Sequence, residues 1–482
     1  MFVGDSHMDL ICEYPRTIVQ VTSLSMSEMS KIYLGGHSHC EERNLYYAAC
    51  VKEENTEFIS ILSESVDRFF LKHCIGHVSD AYDIDVEVLE KRIHFVFVPD
   101  PESDTEILSE RILSNKEVIS EIRELLRGKP NPILDFWSVT ETELALAKVL
   151  GIPLWGQCKE AYLAESKSVS REIFKSLNVN VATGEEHIYS VSDAQAALVR
   201  MTSKTSASRF LIKTNSELGG VGIASIDKHY VNSTLSNFSE NLKIPKHIRP
   251  ADFEKSISLG GAVVEEFIEA DQVFFPSVQL EILPSGAVRN VSTTEQIMDG
   301  CFFIGSMFPA NLVYRRRLIE LGTIVANYLS AIGARGCLSV DFLATKETNS
   351  KRWSLYALEI NIRKSATTHA CWWAKWLTRA EYNDQTGSLN ASTGEILHLT
   401  RSVTNPALRT VAPKTLLKSI SNAGLAFDHK TQAGVFVHMV GTLPKYGKFS
   451  ATIIGHDLQE LEDLSSSLDQ LVDDPINRIS DL

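Results

Sequence analysis

The sequence predicts a parallel α/β layer followed by a mainly antiparallel α+β region, and three observations indicate this. Up to residue 155, strand-like runs such as TIVQVTS and IHFVFVP alternate with helical stretches. From residue 156, strands follow one another through short turns, as in SRFLIKTNSELGGVGIASI. The length of 482 residues, at about 150 residues per domain, predicts about three domains. We expect domains at 1–155, 156–400 and 401–482.

The elements within these regions are predicted from hydrophobic spacing. ESDTEILSERILSNKEVISEIRELL has apolar residues at helical spacing and predicts a helix. GCLSVDFLATKETNSKRWSLYALEINI predicts a hairpin with a polar loop. The polar segment 379–395 predicts a loop and a candidate lid, and the last region predicts two strands and a closing helix.

Composition excludes several classes of protein. The formal net charge of −14 argues against a general nucleic-acid binder, which needs a basic face. The sequence contains no run of about 20 apolar residues, so we expect no transmembrane helix. The first residues show no secretory signal pattern. The eight cysteines form no CxxC pair, which favours reduced thiols in the cytoplasm.

Polar residues alternate with apolar ones in LEINIR, and they predict a metal site. Glu359, Asn361 and Arg363 share one face of this strand because side chains alternate with a period of two. If the hairpin pairs around its polar loop, Asp341 lies opposite Glu359. Two carboxylates and an amide oxygen suit Mg²⁺, with Mn²⁺ as an alternative ion. The other interpretation is a solvated polar face.

The stretch KTNSELGGVGIA predicts a turn that binds an anion through its backbone. Gly219, Gly220 and Gly222 permit positive φ and close approach of a ligand. Ser216 adds a hydroxyl donor, and Lys213 places a cation at the end of the preceding strand. A glycine-rich hairpin without a ligand is the alternative.

An apolar strand in AVVEEFIEADQ ends in a candidate adenine-binding hinge. Its backbone would pair with the edge of the base, and its apolar side chains would pack on the ring, as in other apolar-lined ligand sites. The hinge comprises Glu265, Glu266, Phe267 and Ile268. A strand end with solvated acids is the alternative interpretation.

The order of these motifs resembles the ATP-grasp superfamily, over about residues 156–400. The whole chain resembles the pheganomycin-type peptide ligases, through HSHCEERNLYY, EINIRKSATTHA and AGVFVHMVGTLPKYGKFSATIIG. This resemblance implies an α/β pre-ATP-grasp domain, an ATP-grasp clamp of two α+β subdomains and a small α+β C-terminal domain near the active site. It also implies an ATP-dependent ligase that joins a carboxylate and an amine through an acyl phosphate.

The resemblance implies a role for each candidate residue. Asp341, Glu359 and Asn361 would bind Mg²⁺, and Arg363 would meet the γ-phosphate or the acyl phosphate. The nucleotide would be held by residues from several segments: Lys167, Lys213, Ser216, Gly219, Gly220, Gly222, Glu265, Glu266, Phe267, Ile268 and Gln272. Gln272 stands where a ribose-binding glutamate is usual.

The remaining predicted residues concern the substrates and catalysis. Thr367, Thr368 and His369 would line the acceptor side, and Lys213 would assist Arg363 in catalysis. Arg289 would bind a substrate carboxylate through a bidentate pair; a surface arginine is the alternative. Lys364 is interpreted as a substrate contact or as a solvated charge.

The expected partners are a small-molecule carboxylate and an amino acid or peptide amine, and a homodimer is possible. Two other functions stay open: a nucleotide-binding protein without turnover, and a ligase with a hydroxyl or thiol nucleophile. The motif GGHSHC contains His37, His39 and Cys40. It permits a zinc interpretation, but no further pair at ligand spacing follows it, so a structural role is favoured.

Overall fold

The computed structural model describes residues 16–34, 36, 39–103, 105–156 and 159–473. The first region forms the predicted parallel sheet, in the order β3-β2-β1-β4-β5. Its strands are β1 Arg16–Val21, β2 Thr56–Ser63, β3 Ile93–Val98, β4 Pro132–Phe136 and β5 Leu154–Trp155. The helices around it are Glu28–Leu34, the 3₁₀ helix Glu41–Lys52, Arg68–Tyr82, Val86–Glu90, Leu108–Ser114, Lys116–Leu126 and Glu141–Leu150.

The single helix predicted over ESDTEILSERILSNKEVISEIRELL is wrong, because the chain forms two helices there. Asn115 separates Leu108–Ser114 from Lys116–Leu126. Its side chain accepts a hydrogen bond from the backbone N–H of Val118 and caps the second helix. Asparagine favours such caps over helix interiors, so the local sequence contains the reason for the break.

A small antiparallel sheet follows, in the order β6-β9-β7-β8. Its strands are β6 Gly184–Ile188, β7 Arg209–Thr214, β8 Ile223–Asp227 and β9 Ala262–Glu266. The helices of this part are Lys159–Tyr162, the 3₁₀ turn Leu163–Glu165, Lys167–Ser176, Val191–Met201, Lys228–Val231, Leu235–Glu240 and Pro250–Gly260. The glycine-rich turn joins β7 to β8, and the hinge follows β9.

A large antiparallel sheet contains the order β14-β13-β10-β11-β12-β17, with β19 also paired to β17. Its strands are β10 Gln272–Ile282, β11 Val288–Asp299, β12 Phe302–Phe308, β13 Gly336–Lys346, β14 Ser354–Asn361, β15 Glu381–Asn383, β16 Ser388–Ala391, β17 Gly394–Thr404, β18 Gly434–Met439 and β19 Lys448–Gly455. The accompanying helices are Leu312–Ala331, Thr368–Thr378, the 3₁₀ helix Pro406–Thr410, Pro413–Asn422, Leu443–Tyr446 and Leu458–Asp473.

Two sequence predictions about the end of the large sheet are corrected. Segment 379–395 is not a loop: it forms β15, β16 and the start of β17, where buried Leu389 pairs with Ile396. The boundary predicted between residues 400 and 401 falls inside β17. The strands β18 and β19 therefore extend the central sheet, and the division into three domains stays a prediction.

The two faces of the large sheet differ in polarity. Helix Leu312–Ala331 packs on the apolar face, where Val278, Leu280 and Val340 are fully or almost fully buried. The opposite face carries polar side chains, among them Ser277, Gln279, Asp341, Glu359 and Asn361, because side chains alternate along each strand. This polar face carries the candidate site.

Within the described ranges, none of the helices has the length and apolar character needed to cross a bilayer.

Glu42 joins the first region to the last one. This fully buried residue of the 3₁₀ helix Glu41–Lys52 accepts hydrogen bonds through Oε2 from the backbone N–H groups of Val440 at 2.6 Å and Gly441 at 2.9 Å. Burial raises the pKa of Glu42 to about 8, although these two donors oppose the shift.

We expect Glu42→Gln to remove one pH-dependent part of the stability. The unfolded chain releases this proton near pH 4.5 and the folded chain near pH 8. Between these two pH values only the folded chain keeps the proton. The wild-type free energy of unfolding therefore decreases as the pH rises from 4.5 to 8, by an amount on the order of a few kcal/mol. Urea denaturation at several pH values measures it. Glu53→Gln, at the exposed end of the same helix, is the control. The expectation would be contradicted if the free energy of unfolding of Glu42→Gln changed with pH as steeply as that of the wild type.

Candidate functional site

The predicted hairpin places its two acids side by side. Asp341 on β13 and Glu359 on β14 are register partners, which confirms the predicted pairing. Asp341 Oδ1 accepts from Ser277 Oγ at 2.6 Å, and its Oδ2 accepts from Asn361 Nδ2 at 3.1 Å. Arg363 Nη2 donates to Asn361 Oδ1 at 2.5 Å. One hydrogen-bonded network therefore joins these acids' strands to the predicted catalytic arginine.

The electrostatics of the hairpin fit a divalent cation. Burial, followed by the charge of Glu359, raises the pKa of Asp341 to about 6. Burial alone would raise the pKa of Glu359 too, but the cations of Lys167 and Arg363 hold it below its usual value. The charge of Arg363 opposes this rise in the pKa of Asp341 without cancelling it, and Mg²⁺ would add the positive charge that favours the ionised carboxyl. No group of three His, Cys, Asp or Glu residues suited to a metal occurs among the described residues, so Asn361 is the third donor of the predicted set.

Lys167 connects the hairpin to the glycine-rich turn. This residue begins helix Lys167–Ser176 and is 8% exposed. Its Nζ lies 2.9 Å from Glu359 Oε2 and donates to the backbone carbonyl of Glu217 at 3.0 Å. The predicted phosphate-binding lysine therefore stands between the candidate metal ligands and the turn predicted to cover the phosphates.

Lys213 belongs to a buried ion cluster. Its Nζ lies 2.5 Å from Glu265 Oε2, and Arg171 Nη1 lies 2.5 Å from Glu265 Oε1. Burial opposes the charge of Glu265, but these two cations hold the pKa of the carboxyl below its usual value. Glu265 is 2% exposed, so its side chain is not a nucleotide contact. It holds Lys213 in place instead, and the predicted role of the hinge backbone in binding adenine stays a prediction.

The glycine-rich turn has two residues in the left-handed region. Gly219 has φ of 60° and Gly220 has φ of 86°, as predicted. Gly222 does not use this freedom, because its φ is not positive, and its predicted contact with the nucleotide stays a prediction. A Cβ at Gly222 would overlap Thr214 Oγ1, so close packing requires the glycine there. The Ser216 side chain is exposed at this turn.

The hinge backbone is partly used within the protein. The N–H of Glu266 donates to Thr183 O at 2.8 Å, and that of Phe267 donates to Arg209 O at 2.9 Å. The guanidinium of Arg209 lies 4.9 Å from the centre of the Phe267 ring. These two N–H groups are therefore not available to a base, and adenine binding at the hinge stays a prediction. Gln272 has an exposed side chain at the first position of β10.

The three residues predicted on the acceptor side are all buried. Thr367 and Thr368 both hydrogen-bond to Gln279, with 2.9 Å between Thr368 Oγ1 and Gln279 Oε1. His369 is 2% exposed, and its ring centre lies 4.3 Å from that of His438. Burial lowers the pKa of His369 well below its usual value, so the ring is neutral. The threonines fix the start of helix Thr368–Thr378 to the polar face of the sheet, and their substrate role stays a prediction.

Two basic residues that were predicted near the substrate are held by buried acids. Arg289 Nη2 lies 2.7 Å from Glu281 Oε2, so a substrate carboxylate would have to share this arginine. Its substrate role stays a prediction. Lys364 Nζ lies 2.7 Å from Asp135 Oδ1, and the two side chains are 4% and 1% exposed. Lys364 is therefore neither a substrate contact nor a solvated charge.

The GGHSHC motif is only partly described by the structure, because His37 lies outside the described residues. His39 has its ring centre 6.4 Å from that of Tyr446. Cys40 is buried, and its Sγ donates to Gly36 O at 3.4 Å. These contacts pack His39 and Cys40 against their neighbours, and the structural role of the motif stays a prediction.

Sequence reasoning missed several residues that shape the site. Glu165 accepts from the backbone N–H of Ile362 at 2.8 Å and lies 3.6 Å from Arg363 Nε, so it orients the end of β14. Ser277 and Gln279 alternate with apolar residues in SVQLEI, and this pattern was a usable signal for a functional face. Glu165 carries no comparable local signal.

Comparisons with known proteins agree with this geometry. Residues 159–249 and 250–385 match the family described as IQCH-like, ATP-grasp. Residues 415–468 match the family described as PGM1 C-terminal domain. The solved biotin carboxylase–β-γ-ATP complex from Campylobacter jejuni shares the fold, with a TM-score of 0.56 at 14% identity over 98% of both chains. The chain therefore has the ATP-grasp fold, and it contains one segment that matches an ATP-grasp family and another that matches the PGM1 C-terminal domain.

Two curated relatives narrow the resemblance. The L-propargylglycine–L-glutamate ligase of Streptantibioticus cattleyicolor is 25% identical over 446 residues, which cover 90% of this chain and 89% of that protein. The IQ motif-containing protein H of Danio rerio is 22% identical over 79% of this chain, which spans 40% of that longer protein. The predicted resemblance to the pheganomycin-type ATP-grasp ligases is confirmed.

Proposed function

We propose that this protein is an ATP-dependent carboxylate–amine ligase that forms an amide or peptide bond. The observation that carries the proposal is the position of Lys167, which bonds both to Glu359 of the hairpin and to the backbone of the glycine-rich turn. A nucleotide phosphate chain bound at this point would contact a cation, the turn and the candidate metal ligands together. The likeness to a curated ligase over nine-tenths of the chain supports the same function.

The reaction has two steps, and the residues of the site align and neutralise charge in both. A carboxylate attacks the γ-phosphorus of ATP, which gives an acyl phosphate and ADP; an amine then attacks the acyl carbon, and phosphate leaves. Lys167, Lys213 and Arg363 neutralise charge on the transferred group, as phosphoryl transfer requires. Asp341, Glu359 and Asn361 would hold Mg²⁺, which supplies further neutralisation of the phosphate oxygens.

The small-molecule substrates are a carboxylate and an amino acid or peptide amine. We also propose a cytoplasmic location, since Cys40, Cys74, Cys301 and Cys371 are free thiols, as in reducing compartments. A homodimer is proposed as well, and the exposed apolar side chains of Ile324 and Tyr328 on one helix support it.

Hydroxylamine trapping tests the proposed function directly. The purified chain is incubated with Mg²⁺-ATP, hydroxylamine and one member at a time of a panel of amino acids and dipeptides. A ligase forms an acyl hydroxamate and releases ADP in equal amount, because hydroxylamine intercepts the acyl phosphate. Stabilisation by ATP without ADP or hydroxamate under every mixture would instead favour a nucleotide-binding protein without turnover.

A variant of the same assay distinguishes an amine nucleophile from a hydroxyl or thiol nucleophile. Once the carboxylate is known, matched amines, alcohols and thiols replace hydroxylamine. Amide formation supports the proposal, and ester or thioester formation in its place would move the chain to the alternative ligase class.

A further inference from the structure

Arg43 is a half-buried cation with no acidic partner among the described residues. It lies in the 3₁₀ helix Glu41–Lys52, and its guanidinium carbon is 5.7 Å from the centre of the Trp137 ring. Its Nε is buried and has no hydrogen-bond partner in the part of the chain that the structure describes. A cation withdrawn from water in this way usually has an anionic partner, because burial of an unpaired charge is costly.

The acids next to Arg43 are engaged elsewhere. Glu41 lies 2.7 Å from Arg111 Nη2 and accepts from Ser63. Glu42 turns its Oε2 to the backbone of Val440, and burial raises its pKa to about 8, so it carries little negative charge at neutral pH. Neither acid compensates the charge of Arg43.

A second cation lies in the same place. Lys448 begins β19 and is half-buried, and no acidic partner of its Nζ is found in the described ranges. The backbone carbonyl of Lys448 accepts from Thr442 Oγ1 at 2.7 Å, and Thr442 follows Gly441, whose N–H donates to Glu42 beside Arg43. Burial and then the charge of Arg43 lower the pKa of Lys448, in agreement with this placement. Two neighbouring cations without a carboxylate form a site suited to an anion.

This cation pair adjoins the predicted acceptor side of the active site. The ring centre of His369 lies 4.3 Å from that of His438, two residues before Val440, whose N–H donates to Glu42 beside Arg43. Arg43 also contributes, after burial, to the lowered pKa of His369. His369 Nδ1 is buried and has no partner among the described residues. Trp137, which lies beside Arg43, accepts through its backbone carbonyl from the N–H of Lys364 at 3.0 Å. Lys364 directly follows Arg363, so the pair is close to, but set apart from, the site of phosphoryl transfer.

We propose that Arg43 and Lys448 bind the free carboxylate of the amino acid or peptide that serves as the amine substrate. This inference rests on the proposed ligase function. The carboxylate that becomes the acyl phosphate has to meet the γ-phosphate near Arg363 and Glu359. A cation pair beyond Trp137 suits the carboxylate that does not react, and it holds the amine in place for attack.

The test compares acceptors with and without a free carboxylate. Free L-amino acids and their C-terminal amides serve as matched amines for wild type, Arg43→Gln and Lys448→Gln. We expect wild type to prefer the free acids, and Arg43→Gln to lose roughly 10- to 100-fold in kcat/KM for them, mainly through KM. Rates with the amides and with hydroxylamine stay unchanged. Glutamine and isoglutamine, compared with glutamate, show whether the side-chain or the α-carboxylate is bound.

The controls separate this subsite from the function and from folding. Lys445→Gln, an exposed lysine just before β19, is expected to behave as wild type. Equal use of acids and amides by wild type, or an unchanged KM in both variants, overturns the subsite. Loss of hydroxamate formation in the variants overturns it too, since it indicates a structural role. Absence of hydroxamate from wild type rejects the proposed function itself, and the subsite with it.

Discussion

Glu359→Gln is expected to lower ATP turnover by at least about 100-fold and to weaken Mg²⁺-dependent nucleotide binding. The substitution keeps the size of the side chain but removes its charge. Lys167 then loses its ion pair at 2.9 Å, and Asp341 becomes the remaining carboxylate of the hairpin. ADP release with the substrate pair found by hydroxamate trapping measures turnover, and calorimetric titration with ATP at several Mg²⁺ concentrations measures binding.

A neighbouring acid provides the matched control for Glu359. Glu347 lies in the exposed turn of the same hairpin, so Glu347→Gln changes the same charge without touching the site. It is expected to keep wild-type turnover. Thermal unfolding of both variants shows whether the hairpin remains folded. Full activity in a folded Glu359→Gln protein would mean that the assignment of the metal ligands is wrong.

The metal hairpin could be predicted because its information is local. Alternation with a period of two assigns Glu359 and Asn361 to one face of a strand, and a hairpin brings a complementary face of the adjacent strand beside it. Asp341 and Glu359 are 18 positions apart, and the register follows from that connection. The parallel order of strands in the first region is likewise encoded in the alternation of strands and helices.

The contacts that complete the site could not be predicted, since they join distant positions. Glu265 was predicted in the hinge, but it pairs with Lys213 and with Arg171, which is 94 positions away. The EEFI motif looks the same whether its first acid meets solvent or a buried cation. Only the packing of helix Lys167–Ser176 against β9 decides between them.

The polar composition of segment 379–395 led to the prediction of a loop where the chain forms strands. Segment 379–395 contains acids, amides and glycines, which favour loops. Its strands are short, and a few apolar side chains such as Leu389 and Ile396 attach them to the core. A half-exposed meander of this kind has too few buried positions for hydrophobic periodicity to show. The loop prediction failed for that reason, and a lid role for this segment loses its support.

Lys364→Met is expected to lower the free energy of unfolding by about 3–5 kcal/mol. Lys364 lies next to Arg363, and Asp135 lies near the end of β4, 229 positions earlier. Removal of the lysine leaves the Asp135 carboxylate buried at 1% exposure without its cation. Urea denaturation monitored by tryptophan fluorescence measures the loss. Arg316→Met, which breaks an exposed pair with Glu320, is the control and is expected to change stability little.

A double-mutant cycle shows whether this ion pair holds the first region against the catalytic strand. Asp135→Asn alone leaves Lys364 buried and unpaired, so it is also expected to be strongly destabilising. The double variant is expected to lose much less than the sum of the two single changes, because no unpaired charge remains. Since Lys364 fixes the backbone after β14, hydroxamate formation should fall in both single variants through a misplaced Arg363. Additive losses, or a Lys364→Met protein as stable as wild type, would show that the pair does not couple the two regions.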